Sequence, residues 1–92
     1  MLVKLFGTLR QDLGVNRIAL SEVPGTLGEL IELLASRYDP QVKKELLDEG
    51  GSLDPAYAIF IDGERASNLS VPLREGSEVV ITGMLAGGSP ES

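Results

Sequence analysis

Residues 26–38 read TLGELIELLASRY and separate two pairs of strand-like segments. Thr26 and Glu29 have the spacing of a capping box, in which two side chains satisfy free amides of a first helical turn. A helix that covers one face of a sheet is therefore predicted to begin here. Its apolar residues recur at spacings of three and four, which predicts one buried face: Leu27, Leu30, Ile31, Leu34 and Tyr38. The side chains predicted to face water are Glu29, Glu32, Ser36 and Arg37.

The segments on either side of this helix predict strands. Residues 1–7 are apolar and residues 15–20 alternate between apolar and polar side chains, so together they predict a first hairpin. After the helix, residues 57–64 contain Asp62-Gly63, a dipeptide that favours the positive φ angles of a two-residue hairpin turn. The β-branched residues 78–82 predict the last strand.

Residues 39–51 predict a second, shorter helix. Pro40 suits its first position, and Gly50-Gly51 predicts its end. The apolar residues of this segment are Val42, Leu46 and Leu47.

The order strand, strand, helix, strand, strand predicts an α+β domain with its helices on one face of a single sheet. Because a long helical crossover separates them, the first and last strands are expected to pair in parallel at the centre of the sheet. This arrangement is the β-grasp, with a mixed sheet of four to five strands over residues 1–83. Residues 84–92 have no period and are rich in Gly, Ser and Pro, which predicts a flexible tail.

Composition bounds the chemistry of the chain. Its 92 residues allow one modest core, which leaves little room for an internal active-site cavity. Without Cys or His, the sequence supplies no disulfide, thiolate nucleophile, imidazole base or usual zinc ligand. The carboxylate pairs Glu29 with Glu32 and Asp48 with Glu49 fall on faces that are predicted to be solvated. We therefore expect a protein that is not an enzyme and has neither a cofactor nor a metal site.

The charge and hydropathy of the sequence limit the classes of partner that the protein is expected to bind. Eight basic and fourteen acidic residues give a net charge of −6, which repels the phosphates of nucleic acid. The same charge favours docking onto basic protein surfaces, although solubility alone is the simpler explanation. Residues 1–6 lack the basic segment and long apolar core of a signal peptide, and no stretch reaches membrane-spanning length. We expect a cytoplasmic protein that binds neither nucleic acid nor membrane.

The tail carries Leu85, Ala86, Gly87 and Gly88. Residues 84–88 span at most about 16 to 18 Å when extended, which is enough to thread a buried pocket of another protein. Glycine has no Cβ, so two glycines let bare backbone enter a channel too narrow for side chains. Taken alone, a Gly-Gly pair is more simply a flexible chain end.

Three segments in order resemble a known family over residues 1–88. Residues 3–10 are similar to its first strand and arginine-bearing turn, and residues 46–64 to its middle. The most specific segment is PLREGSEV at residues 72–79. A Gly-Gly pair follows it, and the second glycine, Gly88, lies nine residues after Val79. The sequence resembles the MoaD/ThiS sulfur carriers, which are ubiquitin-like β-grasp proteins. It is most similar to their longer archaeal-type relatives, which also act as small protein modifiers.

The resemblance implies that Gly88 is the reacting terminus. Its carboxylate would be adenylated by an ATP-dependent enzyme of the ubiquitin-activating type and then converted to a thiocarboxylate that donates sulfur. The favoured acceptor pathway is molybdopterin or tungstopterin biosynthesis, with this chain as the small subunit of molybdopterin synthase and the large subunit as a further partner. The partner enzymes must supply both ATP site and sulfur, since this chain has no Cys.

Strand alternation predicts which side chains point away from the helices. The outward residues are Leu2, Lys4, Phe6, Phe60 and Val80. The apolar ones among them, with Met84 and Leu85 at the root of the tail, are predicted to form a docking patch rimmed by Lys4 and Arg10. For any one of these residues, exposure without a role is an equally good explanation. The resemblance implies that Phe6 and Arg10 contact the activating enzyme, and it places Thr82 where the family often has an aromatic residue.

Residues 89–92, Ser-Pro-Glu-Ser, follow Gly88, whereas active carriers of the family finish at Gly-Gly. Two hypotheses account for this difference. Either a peptidase trims the tail after Gly88, or the chain has lost conjugation and acts only as a protein-interaction module. We favour trimming, because a nonconjugating protein has no need for Gly-Gly at this distance from the last strand. Modification of other proteins through an isopeptide bond to lysine is an alternative to sulfur transfer.

Overall fold

The computed structural model describes the backbone of residues 1–83 and their side chains except those at positions 8, 9 and 12. The elements in chain order are β1 (Leu2–Phe6), α1 (Thr8–Leu13), β2 (Arg17–Ala19), α2 (Leu27–Arg37), α3 (Gln41–Leu46), β3 (Tyr57–Ile61), β4 (Glu64–Arg65) and β5 (Glu78–Gly83). Among these residues, no helix combines the length and apolar character needed to cross a membrane.

The strands form one mixed sheet in the order β2-β1-β5-β3-β4. β1 and β5, from the two ends of the described chain, pair in parallel at the centre, and the other neighbours are antiparallel. The crossover through α2 makes this parallel pairing possible, because a short turn cannot connect parallel strands. The structure confirms the predicted α+β β-grasp and its central strand pair.

α2 begins where the sequence predicts. The Glu29 amide donates to Thr26 Oγ1 over 3.3 Å, and Glu29 Oε1 accepts from the Gly25 amide over 3.0 Å. The carboxylate thus bonds one residue further back than in the usual capping box. The buried face of α2 consists of Leu27, Leu30, Ile31, Leu34 and Ala35, and the four side chains predicted to face water are exposed.

The prediction that Tyr38 lies on this buried face was wrong. Tyr38 is the C-cap of α2 and is 46% exposed, because the helix ends at Arg37 before its spacing reaches this position. Ala35, which has a smaller side chain, fills the end of the buried stripe at 8% exposure.

α3 exists but differs from its predicted limits. Pro40 is the N-cap and not the first helical residue, and α3 ends at Leu46, before the predicted stop at Gly50-Gly51. Asp48 Oδ1 accepts from the amides of Gly50 (2.9 Å) and Ser52 (3.0 Å). These side-chain bonds give the backbone an alternative to further helix, which is why the chain turns before the glycines.

The remaining local structure includes one element that the sequence did not indicate. α1 lies inside the predicted first hairpin, between β1 and β2, and is bounded by Gly7 (φ 77°) and Gly14 (φ 73°). Six residues are too short for a helical period to stand out.

The predicted turn between β3 and β4 is confirmed, since Asp62 (φ 52°) and Gly63 (φ 87°) both have positive φ.

The core lies between the helices and the inner face of the sheet. Its fully buried members from the sheet are Val3, Leu5, Val79 and Ile81, and the helices contribute Leu27, Leu30, Leu34, Val42 and Leu46. This one-sided core leaves the other sheet face without a covering layer among the described residues.

Candidate functional site

The uncovered side of the sheet presents the predicted outward residues. We call it the outer sheet face and define it by Leu2, Lys4, Phe6, Arg17, Ala19, Ala58, Phe60, Arg65, Glu78, Val80 and Thr82. The register places Lys4 beside both Arg17 and Val80, and Phe60 beside both Val80 and Arg65. Directly paired residues project from the same face of a sheet, so these side chains form one surface.

Apolar groups occupy the middle of this face. Phe60 and Val80 are direct neighbours across β3 and β5, and both are partly exposed. Phe6 is 46% exposed, whereas its strand neighbour Leu5 is fully buried. Aromatic and aliphatic side chains that are partly exposed on one face are typical of a protein interface.

Phe6 lies at the end of the face from which the tail continues. It pairs with Thr82, and β5 ends one residue later at Gly83. Gly83 pairs with Tyr57, whose hydroxyl donates to a carboxylate oxygen of Glu45 on α3. The root of the tail is therefore held between β1 and β3. The predicted site residues Met84, Leu85, Ala86, Gly87 and Gly88 lie outside the described residues.

Basic groups surround the apolar centre. Arg10 is exposed in the last turn of α1, and it lines a shallow recess together with Phe6 and Arg17. Lys4 forms an ion pair of 2.7 Å with Glu78 on the neighbouring strand. The structure thus places all four described members of the predicted partner-binding set, Phe6, Arg10, Phe60 and Val80, on or beside one face.

The acidic side chains of the described residues do not assemble a metal site. No three acidic side chains among them converge as metal ligands. Glu29 caps α2 and Asp48 organises its loop, so these two carboxylates have structural roles. Ser77 is the buried polar residue of residues 1–83, and its hydroxyl accepts from the Arg74 amide over 3.1 Å in the turn before β5.

Comparison with known proteins identifies the family. The model of the ThiS family matches residues 3–88, which is nearly the whole chain. The chain belongs to the ThiS family. This result confirms the resemblance seen in the sequence, and it makes the chain a member of a ubiquitin-fold family of small sulfur carriers and modifiers that are not themselves enzymes.

Solved structures agree with the fold of this ThiS-family protein. SAMP1 from Haloferax volcanii has a TM-score of 0.78 at 22% identity and covers 95% of this chain and 97% of its own. The BexX/CysO complex of Amycolatopsis orientalis contains a chain with a TM-score of 0.78 at 22% identity, covering 95% and 98%. A putative molybdopterin converting factor subunit 1 from Pyrococcus furiosus has a TM-score of 0.66 at 28% identity, covering 89% and 93%. No curated protein sequence matches the chain significantly.

Two members of the outer sheet face of this ThiS-family protein, Arg17 and Arg65, were not predicted from the sequence. Arg65 belongs to the two-residue strand β4, and Arg17 opens the three-residue strand β2. The apolar Ile18 directly after Arg17 is a weak signal that Arg17 points outward, because successive side chains of a strand alternate between faces. Only the register shows that both arginines lie in line with Val80 and Phe60.

Proposed function

We propose that this protein is a sulfur carrier of the MoaD/ThiS type, activated at Gly88 after removal of residues 89–92. The observation that carries the proposal is the extent of the family match, which ends at Gly88 and leaves residues 89–92 outside it. The proposed reacting terminus, Gly88, is thus the last residue of this chain that the family model matches.

The chemistry requires a partner enzyme. A carboxylate is a poor electrophile, so the Gly88 carboxylate first attacks the α-phosphate of ATP, which forms an acyl-adenylate and releases pyrophosphate. Sulfide then attacks the acyl carbon; a C–S bond forms, the bond to AMP breaks, and a thiocarboxylate remains. The chain has no Cys or His, so the adenylating enzyme supplies the ATP site and the sulfur-delivering group. The need for ATP is consistent with a cytoplasmic location.

The outer sheet face supports the docking part of the proposal. Phe6 is exposed beside the last residues of β5, so an enzyme that binds this face is positioned to receive the tail. From Gly83, an extended chain of five residues reaches about 16 to 18 Å. The nucleotide site of the enzyme can therefore lie up to this distance from the surface on which the sheet docks. Gly87 and Gly88 add no side chains to block that path.

The favoured destination of the transferred sulfur is the dithiolene of molybdopterin or tungstopterin, which is formed when the precursor accepts sulfur. The likeness to a putative molybdopterin converting factor subunit from Pyrococcus furiosus supports this choice. In this pathway the peptidase would first remove residues 89–92. The thiocarboxylated protein would then leave the adenylating enzyme, and its outer sheet face would bind the large subunit of molybdopterin synthase.

Intact-mass analysis tests the proposal. Chains ending at Gly88 and at Ser92 are each incubated with ATP, a sulfide source and an adenylating enzyme of the ubiquitin-activating type from the same cells. We expect sulfur to replace one oxygen only in the chain that ends at Gly88. Protein isolated from cells under sulfur demand should also end at Gly88. A full-length, unmodified population under these conditions would support the interaction module instead, and lysine-linked conjugates would support the modifier.

A further inference from the structure

One row of residues crosses the outer sheet face from edge to edge. The register aligns them in the order Arg17, Lys4, Val80, Phe60 and Arg65, on strands β2, β1, β5, β3 and β4. An apolar pair therefore stands in the middle of the row, and an arginine ends it on each side.

This row is positively charged, whereas the chain as a whole is negatively charged. The whole protein carries −6, yet the row contains three cations and no carboxylate. Lys4 is balanced by Glu78 at 2.7 Å. Among the side chains that the structure describes, Arg17 and Arg65 have no carboxylate within ion-pair distance, and both are exposed. The uncompensated positive charge of the row is thus at its two ends.

By contrast, two cations on the helical side of the molecule are paired. Arg37 is bound to Glu22, and Lys43 lies 2.8 Å from Glu32. The overall charge favours basic partner surfaces, but the outer sheet face has the opposite local sign. Arginine is enriched in protein interfaces, and complementary charges at their rim accelerate association and select the partner.

We propose that the outer sheet face binds a protein surface on which an apolar strip is flanked by two carboxylate groups, one for Arg17 and one for Arg65. The arginines lie four strand spacings apart, so the two acidic sites on the partner are separated by about 19 Å. This inference rests on the proposed function and assigns that surface to the adenylating enzyme. The two arginines act in recognition and leave the chemistry at Gly88 unchanged.

Charge reversal tests the proposal. Arg17→Glu and Arg65→Glu are compared with Lys44→Glu, which makes the same change at an exposed position on α3, away from the outer sheet face. Association of the full chain with the adenylating enzyme is followed by stopped-flow at low salt. We expect each arginine variant to associate at least about tenfold more slowly than the parent, and Lys44→Glu to associate at the parent rate.

Salt and partner variants sharpen the test. In about 1 M salt the Debye length is near 3 Å, so the rates of parent and arginine variants should converge. Replacing the facing carboxylates of the enzyme by lysine should restore fast association of the reversed chains. Neutral variants Arg17→Gln and Arg65→Gln, with thermal unfolding as a folding check, should show a smaller slowing in the same direction.

The outcomes separate the two proposals. If the chain ending at Gly88 is thiocarboxylated and the arginine variants bind as fast as the parent, the recognition proposal is overturned and the proposed function stands. If the parent chain neither binds the enzyme nor is thiocarboxylated, both are overturned. Slowing by Lys44→Glu equal to that of the arginine variants would also overturn the recognition proposal, because the effect would follow net charge and not position.

Discussion

Phe6 and Thr82 are direct neighbours across the central parallel strands β1 and β5. The Thr82 hydroxyl donates to the Ala58 carbonyl over 3.3 Å, so it is directed toward β3, on the side of β5 away from Phe6. Phe6 is 46% exposed, so nearly half of the residue is accessible to a partner. The pair thus places a half-exposed aromatic group beside the end of β5, one residue before the last described position, Gly83.

Phe6→Ala should weaken binding to the adenylating enzyme by about tenfold, as expected for an aromatic group at the centre of an interface. It should lower the free energy of unfolding by about 1–2 kcal/mol, since roughly half of the residue is exposed and only the remainder loses its contacts. Leu5→Ala is the matched comparison: the side chain is fully buried, and its loss should destabilise the fold by about 2–5 kcal/mol. Titration with the enzyme and urea denaturation measure the two effects, and equal destabilisation by both variants would contradict the assignment of faces.

Gly88→Ala, made in the chain that ends at this residue, should abolish or strongly reduce thiocarboxylate formation and leave the thermal midpoint unchanged. The added Cβ widens the backbone where the channel of the enzyme is expected to be narrow. Gly50→Ala is the control, since Gly50 is an exposed loop glycine. Mass spectrometry reports the reaction and thermal unfolding reports the fold. A lowered midpoint for Gly88→Ala would show that this residue packs against the domain.

Thr26→Ala should destabilise the domain by about 0.5–2 kcal/mol, because the Glu29 amide loses its acceptor at the start of α2. Ser36→Ala, at an exposed position inside the same helix, should have little effect or a small stabilising one. The free energies come from urea unfolding followed by circular dichroism. Equal stability of the parent and Thr26→Ala would mean that the capping bond does not persist in solution.

Gly63→Ala should destabilise the domain by about 1–2 kcal/mol, because its φ of 87° is unfavourable for residues with a Cβ. Apart from Gly63 itself and its two chain neighbours, no heavy atom of the described residues lies within 4 Å of the position that the new Cβ would occupy, so the effect comes from the backbone conformation and not from a clash with a packed neighbour. Gly50→Ala again serves as the comparison, since its φ is not positive. Thermal and urea unfolding of both variants measure the difference, and an unchanged stability for Gly63→Ala would contradict the turn geometry.

Elements with a strong local signal were predicted well. The Thr26 capping bond, the positive φ at Gly63 and the burial of Leu30 and Leu34 all depend on residues within a few positions of one another. The predictions failed at two helix ends, which the spacing of apolar residues does not fix. α3 ends early because Asp48 bonds to its own loop, and Tyr38 is exposed because α2 ends before reaching it.

The candidate site also contains residues that the sequence predicts and residues that it does not. Phe6, Phe60 and Val80 could be assigned outward from alternation, because side chains of a strand alternate between faces whatever the strand pairs with. The role of Arg65 could not, because β4 has only two residues and shows no period.

From the sequence alone one can determine the elements other than α1, the parallel pairing of the end strands and the Gly-Gly motif, because helix caps, strand alternation and crossover length are local properties of the chain. Only the tertiary structure decided which groups meet across the sheet. The alignment of Arg17 with Arg65 passes through five strands drawn from both ends of residues 1–83. That alignment depends on strand register, which is set by how the whole core packs and not by any one segment.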